Sequence, residues 1–178
     1  MSPYRHTDDS ALARLFAGGR HVRMLLAGCT PPGLVIPAVD GFERVAWLSW
    51  PGQPMPGSVV ADPNRLPFIE ALFDRALMTT QLPATSAKAE LRELWRVLSP
   101  AALALLVVKA RRPWQFAAPG WVRESLEPVL LEAMFDVLDW QVETLPDRYH
   151  LVLVGKHDGL RPALIGRVDE VVAPAAAT

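Results

Sequence analysis

The chain has 178 residues, 51% of them hydrophobic and 21% charged, which excludes a disordered protein and fits one domain with a real core. Eighteen basic against nineteen acidic residues give a formal net charge of −1, so the basic surplus of a general nucleic-acid binder is missing. Cys29 is the single cysteine, which rules out an intrachain disulfide, and no apolar run reaches the ~18 residues of a membrane span; a reducing, cytoplasmic compartment is expected.

Asp8 and Asp9 interrupt the N-terminus, which therefore lacks the apolar core of a secretory leader. Asp9 or Ser10 can cap a short helix with Leu12, Leu15 and Phe16 on one face, closed by Gly18-Gly19. Val22 to Ala27 reads as an apolar strand that enters the loop Gly28-Cys29-Thr30-Pro31-Pro32-Gly33. An apolar run ending in glycine is how a nucleotide-binding turn begins, yet Pro31 and Pro32 have no N–H to offer a ligand. From there to Pro67 the prolines forbid a long helix and predict strand and loop, with strands at Arg44 to Trp50 and Ser58 to Asp62.

The next segment, Phe68 to Leu82, is open between two readings. Phe68, Leu72 and Phe73 suit a helix, while Arg75 to Thr80 suits a buried strand. Ser86 then opens an amphipathic helix with Leu91, Leu94, Trp95 and Leu98 on one stripe, stopped by Ser99-Pro100. Leu103 to Val108 is unbroken apolar sequence, as expected of a central parallel strand. A helix over about Ser125 to Leu138 follows. Strands near Trp140 to Leu145 and Tyr149 to Val154 come next, joined as a hairpin by Pro146-Asp147-Arg148. The alternation predicts a three-layer α/β fold of one domain, residues 1–168, and the alanine-rich end, 169–178, reads as a frayed tail.

Leu66-Pro67-Phe68, Phe73-Asp74-Arg75-Ala76-Leu77, the helix end Glu90-Leu91-Arg92-Glu93-Leu94-Trp95-Arg96-Val97-Leu98-Ser99-Pro100 and the strand to Val108 together resemble a class I S-adenosylmethionine-dependent methyltransferase of the type 11 kind. The resemblance spans about Val22 to Lys156 and is specific over Asp62 to Val108. It implies a Rossmann-like fold with a mostly parallel sheet, a fourth strand at Phe73 to Thr80, and an antiparallel C-terminal hairpin. It also implies three cofactor elements: a glycine-rich loop after the first strand, an acidic residue closing the second, and another after the third. Gly28 matches the first, Ser49 or Trp50 stands where the second carboxylate belongs, and Asp62, followed by Pro63, matches the third. Gly28, Ser49, Asp62 and Pro63 are the cofactor positions so assigned. Without the second carboxylate, a charged hydrogen bond of roughly 1.5–3 kcal/mol is lost, weakening binding about 10- to 150-fold. Pro100-Ala101-Ala102 replaces the family's P-G-G turn and removes its glycine freedom.

Each residue also has a bland role. Asp62 suits an Asx turn, and of Trp47 and Trp50 one can pack in the core while the other projects over the strand end. Cys29 has no neighbouring His or Asp to activate it and reads as a small hydrophobe. Lys109, Arg111, Arg112, Trp114 and Gln115 leave the central strand as an anion or aromatic grip, or as a solvated basic turn with its tryptophan folded onto the sheet. His6, His21, His150 and His157 lack metal-ligand spacing, and Glu124, Glu127 and Glu132 suit a wet helix face. No catalytic triad, paired carboxylate or metal signature is present. Two functions follow. One is a pseudoenzyme of methyltransferase fold acting as a binding or scaffolding subunit, in a homodimer or beside an active enzyme, with S-adenosylmethionine binding weak or lost. The other is a working methyltransferase with an atypical cofactor pocket; a nucleic-acid role trails both.

Overall fold

The computed structural model describes residues 10–17, 19–115 and 118–157. The tail expected at 169–178, the domain boundary before it, Asp9 and Gly18 lie outside them. Helix α1 (Ala11–Phe16) starts at Ser10, whose Oγ accepts from the Ala13 N–H at 3.1 Å, and it buries Ala11 and Leu15. Strands β1 (Arg23–Ala27), β2 (Arg44–Ser49), β3 (Val59–Val60), β4 (Phe73–Thr80), β5 (Leu98–Lys109), β6 (Phe135–Leu145) and β7 (Asp147–Lys156) form one sheet in the order β3-β2-β1-β4-β5-β7-β6. β7 runs antiparallel to both β5 and β6, and the remaining pairings are parallel.

Both faces of the central strands are covered, which explains their continuous apolar sequence. Leu25, Ala76, Met78, Leu106 and Val152 point to one core, packed under α2 (Ala87–Val97) and α3 (Arg123–Glu132). Met24, Leu26, Leu77, Leu105 and Leu153 point to the other, under α1. Parallel neighbours are usually joined by a helix. Here β1 and β2 are joined by residues 28–43 without one, as the prolines require. Leu34, Ile36, Val39 and Phe42 from this extended chain cover the α1 side instead, with Phe42 edge-on to Phe16 at 5.9 Å.

The open segment resolves as strand, over the range the family resemblance implied. Several boundaries differ from expectation, most of all at the ends of the two long helices. The helix stop expected at Ser99-Pro100 lies inside β5, because α2 passes straight into the strand at Leu98. Ala101 takes φ +57° there, between the Phe73–Leu98 and Arg75–Leu103 pairings, so alanine adopts the left-handed turn expected to need glycine. That conformation costs an alanine about 1–2 kcal/mol. Helix α3 ends at Glu132 rather than Leu138. Met134 turns the chain at φ +65°, and Phe135 to Val137 pair with β7 as part of β6, with Leu138 left over at a register shift before Asp139. Among the described residues no helix is long and apolar enough to cross a membrane.

Candidate functional site

The strand order reverses between β1 and β4, which run parallel, since β2 and β3 continue on one side and β5 on the other. Open α/β sheets bind ligands in the crevice outside the carboxyl ends of strands at such a point. Gly28 sits there with φ +84°, its N–H bonded to the Leu48 carbonyl at 3.0 Å. That amide is spent inside the sheet, and Pro31 and Pro32 have none, so half of the six-residue loop has no N–H for a ligand. No helix follows the loop to add a dipole.

The crevice is bridged by the chain itself. Trp50, one residue past β2, donates from Nε1 to the Thr79 carbonyl of β4 at 2.7 Å. β2 and β4 flank β1, so the indole reaches from the β2 side over the end of β1 to its bond on β4. It rests on Gly28: a Cβ there would stand 2.5 Å from Trp50 Nε1 and 2.1 Å from Thr79 O. Outside the indole a cleft of about 300 Å³ remains, walled by Thr30 to Pro32, Gln53 to Met55, Thr79 to Gln81 and Tyr149, with the exposed Cys29 on its rim.

The four assigned cofactor positions do not come together around that cleft. Gly28 lies beneath the indole. Ser49 is buried, and its Oγ accepts from Ser58 Oγ at 2.9 Å. Asp62 is exposed and makes the Asx turn: Oδ1 accepts from the Asn64 N–H at 2.9 Å and from Asn64 Nδ2 at 3.0 Å. Those bonds hold its carboxyl below the usual range. Pro63 follows in the same turn. Of the tryptophan pair, Trp50 projects over the strand end, while Trp47 is 41% exposed and so is no core residue. Trp114 is 67% exposed, so it does not fold onto the sheet; Arg112 lies 5.6 Å above its ring.

The walls beyond β4 and β5 are set by bonds that sequence reading did not reach. The buried carboxyl of Glu90 accepts from Thr80 Oγ1 and from Ser86 Oγ, each at 2.8 Å. Thr80 Oγ1 accepts from the Leu82 N–H, and the Leu82 carbonyl accepts from Trp121 Nε1 at 2.8 Å. Buried His150 accepts at Nδ1 from Trp140 Nε1 at 3.1 Å. An indole N–H only donates, so the imidazole proton lies on Nε2, which faces the Trp121 carbonyl at 3.0 Å. Burial pushes the His150 pKa down, against the pull of that carbonyl.

A depressed histidine favours the fold only while it is neutral. Its contribution is full above the unfolded value of about 6.5 and is lost as pH falls below that, when the unfolded chain takes up the proton first. Thermal unfolding followed from pH 7.5 to 5 should therefore show a midpoint that drops more steeply in the wild type than in His150→Gln. The glutamine keeps an acceptor and a donor without titrating; equal slopes would remove His150 as the cause.

No family model matches this chain, and no curated protein does. Its likenesses are to solved structures. A SAM-dependent methyltransferase from Methanosarcina mazei is 16% identical, with 77% of this chain and 93% of that one covered, at a TM-score of 0.55. A chain from a Haloferax volcanii complex of a methyltransferase activator with a protein assigned as a methyltransferase gives 16% identity, 83% and 87% coverage, and 0.60. The cyclase SpnF gives 18%, 82% and 78%, and 0.58. At such identities the likeness is one of fold. The chain has the class I methyltransferase fold, a seven-stranded mixed sheet with one reversed strand near its end.

Proposed function

We propose that this chain is a degenerate protein of methyltransferase fold that works as a binding or scaffolding subunit, paired with itself or with an active enzyme, its hold on S-adenosylmethionine weak or lost. The observation that carries this reading is the Trp50 indole, bonded across the crevice to Thr79 and seated on Gly28. A ligand approaching the loop backbone must first displace a ring that fills this space and satisfies a carbonyl. Ser49, turned inward onto Ser58, supports the same reading because it supplies no carboxylate for a ribose. The Haloferax volcanii complex adds that a chain of this fold is found bound to an activator. SpnF adds that the fold serves a cyclase, so fold does not dictate methyl transfer.

One observation favours the competing reading, an active methyltransferase with an atypical pocket. The cleft of about 300 Å³ outside Trp50 lies at the switch point and reaches the lower end of ligand-pocket sizes. Calorimetry and thermal unfolding with millimolar S-adenosylmethionine or S-adenosylhomocysteine separate the two. A ligand at about 100 times its Kd adds about 2.7 kcal/mol to stability. No shift in the wild type is the expected result. A clear shift that Asp62→Ala abolishes would establish the enzyme reading instead. Light scattering supplies the second arm, with a dimer expected; a strict monomer that joins no enzyme of its own fold would remove the scaffold.

A further inference from the structure

Two cavities open side by side beyond β5, and Arg111 lines both. The first, about 390 Å³, is bordered by Lys109, Arg111, Arg112 and Arg148 and by a single carboxylate, Asp147. Lys109 Nζ takes up that carboxylate at 3.0 Å, which leaves three arginines bordering one space in a chain whose net charge is −1. The second cavity, about 570 Å³, is walled by apolar surface from Leu82, Pro83, Pro119 and Trp121. Gly120 borders this second cavity, and its φ of +122° lets the backbone pass Lys109 O where a Cβ would stand at 2.8 Å. Arg111 Nη1 is buried there and has no hydrogen-bond partner among the described residues. A buried charged donor left unpaired is destabilising, and an acceptor brought by a ligand relieves it.

We propose that this double cleft binds a small organic anion, a carboxylate or phosphate ester on an apolar body. The acidic head is held by Arg111 with Arg112 and Arg148, and the body lies against Leu82 and Trp121. A fork of N–H donors suits either acid, and the adjoining apolar wall distinguishes the site from a bare anion trap. None of the four cations lines the Trp50 cleft, so the inference stands whether or not the methyl donor binds.

Titration calorimetry of the full chain tests it with 1-naphthoate, 1-naphthyl phosphate, the neutral 1-naphthamide, inorganic phosphate and a twelve-residue oligothymidylate. At least one naphthyl acid should bind about tenfold or more tightly than the amide and than inorganic phosphate, and the better of the two names the head group. Arg111→Ala should lose about tenfold in that affinity, Arg111→Lys less, and the remote Arg65→Ala nothing. Arg148→Ala, at an exposed position, gives the same direction of loss if Arg111→Ala fails to fold. Equal binding of acid and amide would overturn the proposal, as would inorganic phosphate binding as tightly as the naphthyl acids. Tighter binding of the oligothymidylate would replace it with a nucleic-acid site.

Discussion

Gly28→Ala should lower stability by about 3 kcal/mol, a fall of about 6–12 °C in the thermal midpoint for a chain of this length. Two effects add. An alanine at φ +84° adopts backbone that side chains disfavour by about 1–2 kcal/mol. Its Cβ also meets a backbone oxygen, Thr79 O, at 2.1 Å, and the Trp50 Nε1 at 2.5 Å. The carbonyl cannot rotate away, because it belongs to β4 in the centre of the sheet, whereas the indole can. Trp50→Ala should therefore relieve only part of the Gly28→Ala penalty, a coupling of about 1 kcal/mol in a double-mutant cycle measured by denaturant unfolding. The result bears on function as well as stability. A neutral Gly28→Ala would mean that the indole does not rest on the loop, and the crevice would then be free for a cofactor.

What the sequence disclosed follows from which forces are local. β1, β5 and β7 are legible because strands buried on both faces carry apolar runs, Met24 to Ala27 and Leu103 to Val108 among them. β4, with Asp74 and Arg75 in it, stays open until the family resemblance decides it. A cap at Asp9 or Ser10 is legible because capping acts over three residues, with Ser10 the one that serves, and Gly28 because a tight turn needs its φ. The end of α3 was not. Phe135 to Leu138 fits helix or strand by period, and pairing with Gly155 and Lys156, twenty residues on, decides it. Trp50 was read as a candidate for the strand end, but its acceptor lies 29 residues away, beyond any spacing rule. Arg111 was visible as one basic residue of a loop. Its place at the junction of two cavities depends on Gly120 and Trp121 returning beside Lys109, which no local pattern announces.

Glu90→Ala should be the next most damaging change, again about 3 kcal/mol, because one carboxyl begins a chain of bonds that fixes the Leu82 and Trp121 wall of the larger outer cavity. Glu90 holds Thr80 and Ser86; Thr80 holds the Leu82 N–H; the Leu82 carbonyl holds Trp121; Trp121 meets His150, which holds Trp140. Two hydrogen bonds end on Glu90, and each buried hydroxyl left without its acceptor costs about 1–3 kcal/mol. Glu90→Gln keeps an acceptor and should lose about half as much. Pairing Glu90→Leu with Thr80→Val removes the stranded Thr80 hydroxyl and so recovers part of the loss. It cannot recover all of it, since the Leu82 N–H, in a residue held at φ +46°, then has no acceptor. Amide exchange at Leu82 separates this account from simple core damage. Glu90→Ala should accelerate it selectively while β5 amides stay protected, and uniform acceleration across the sheet would reduce Glu90 to a packing residue.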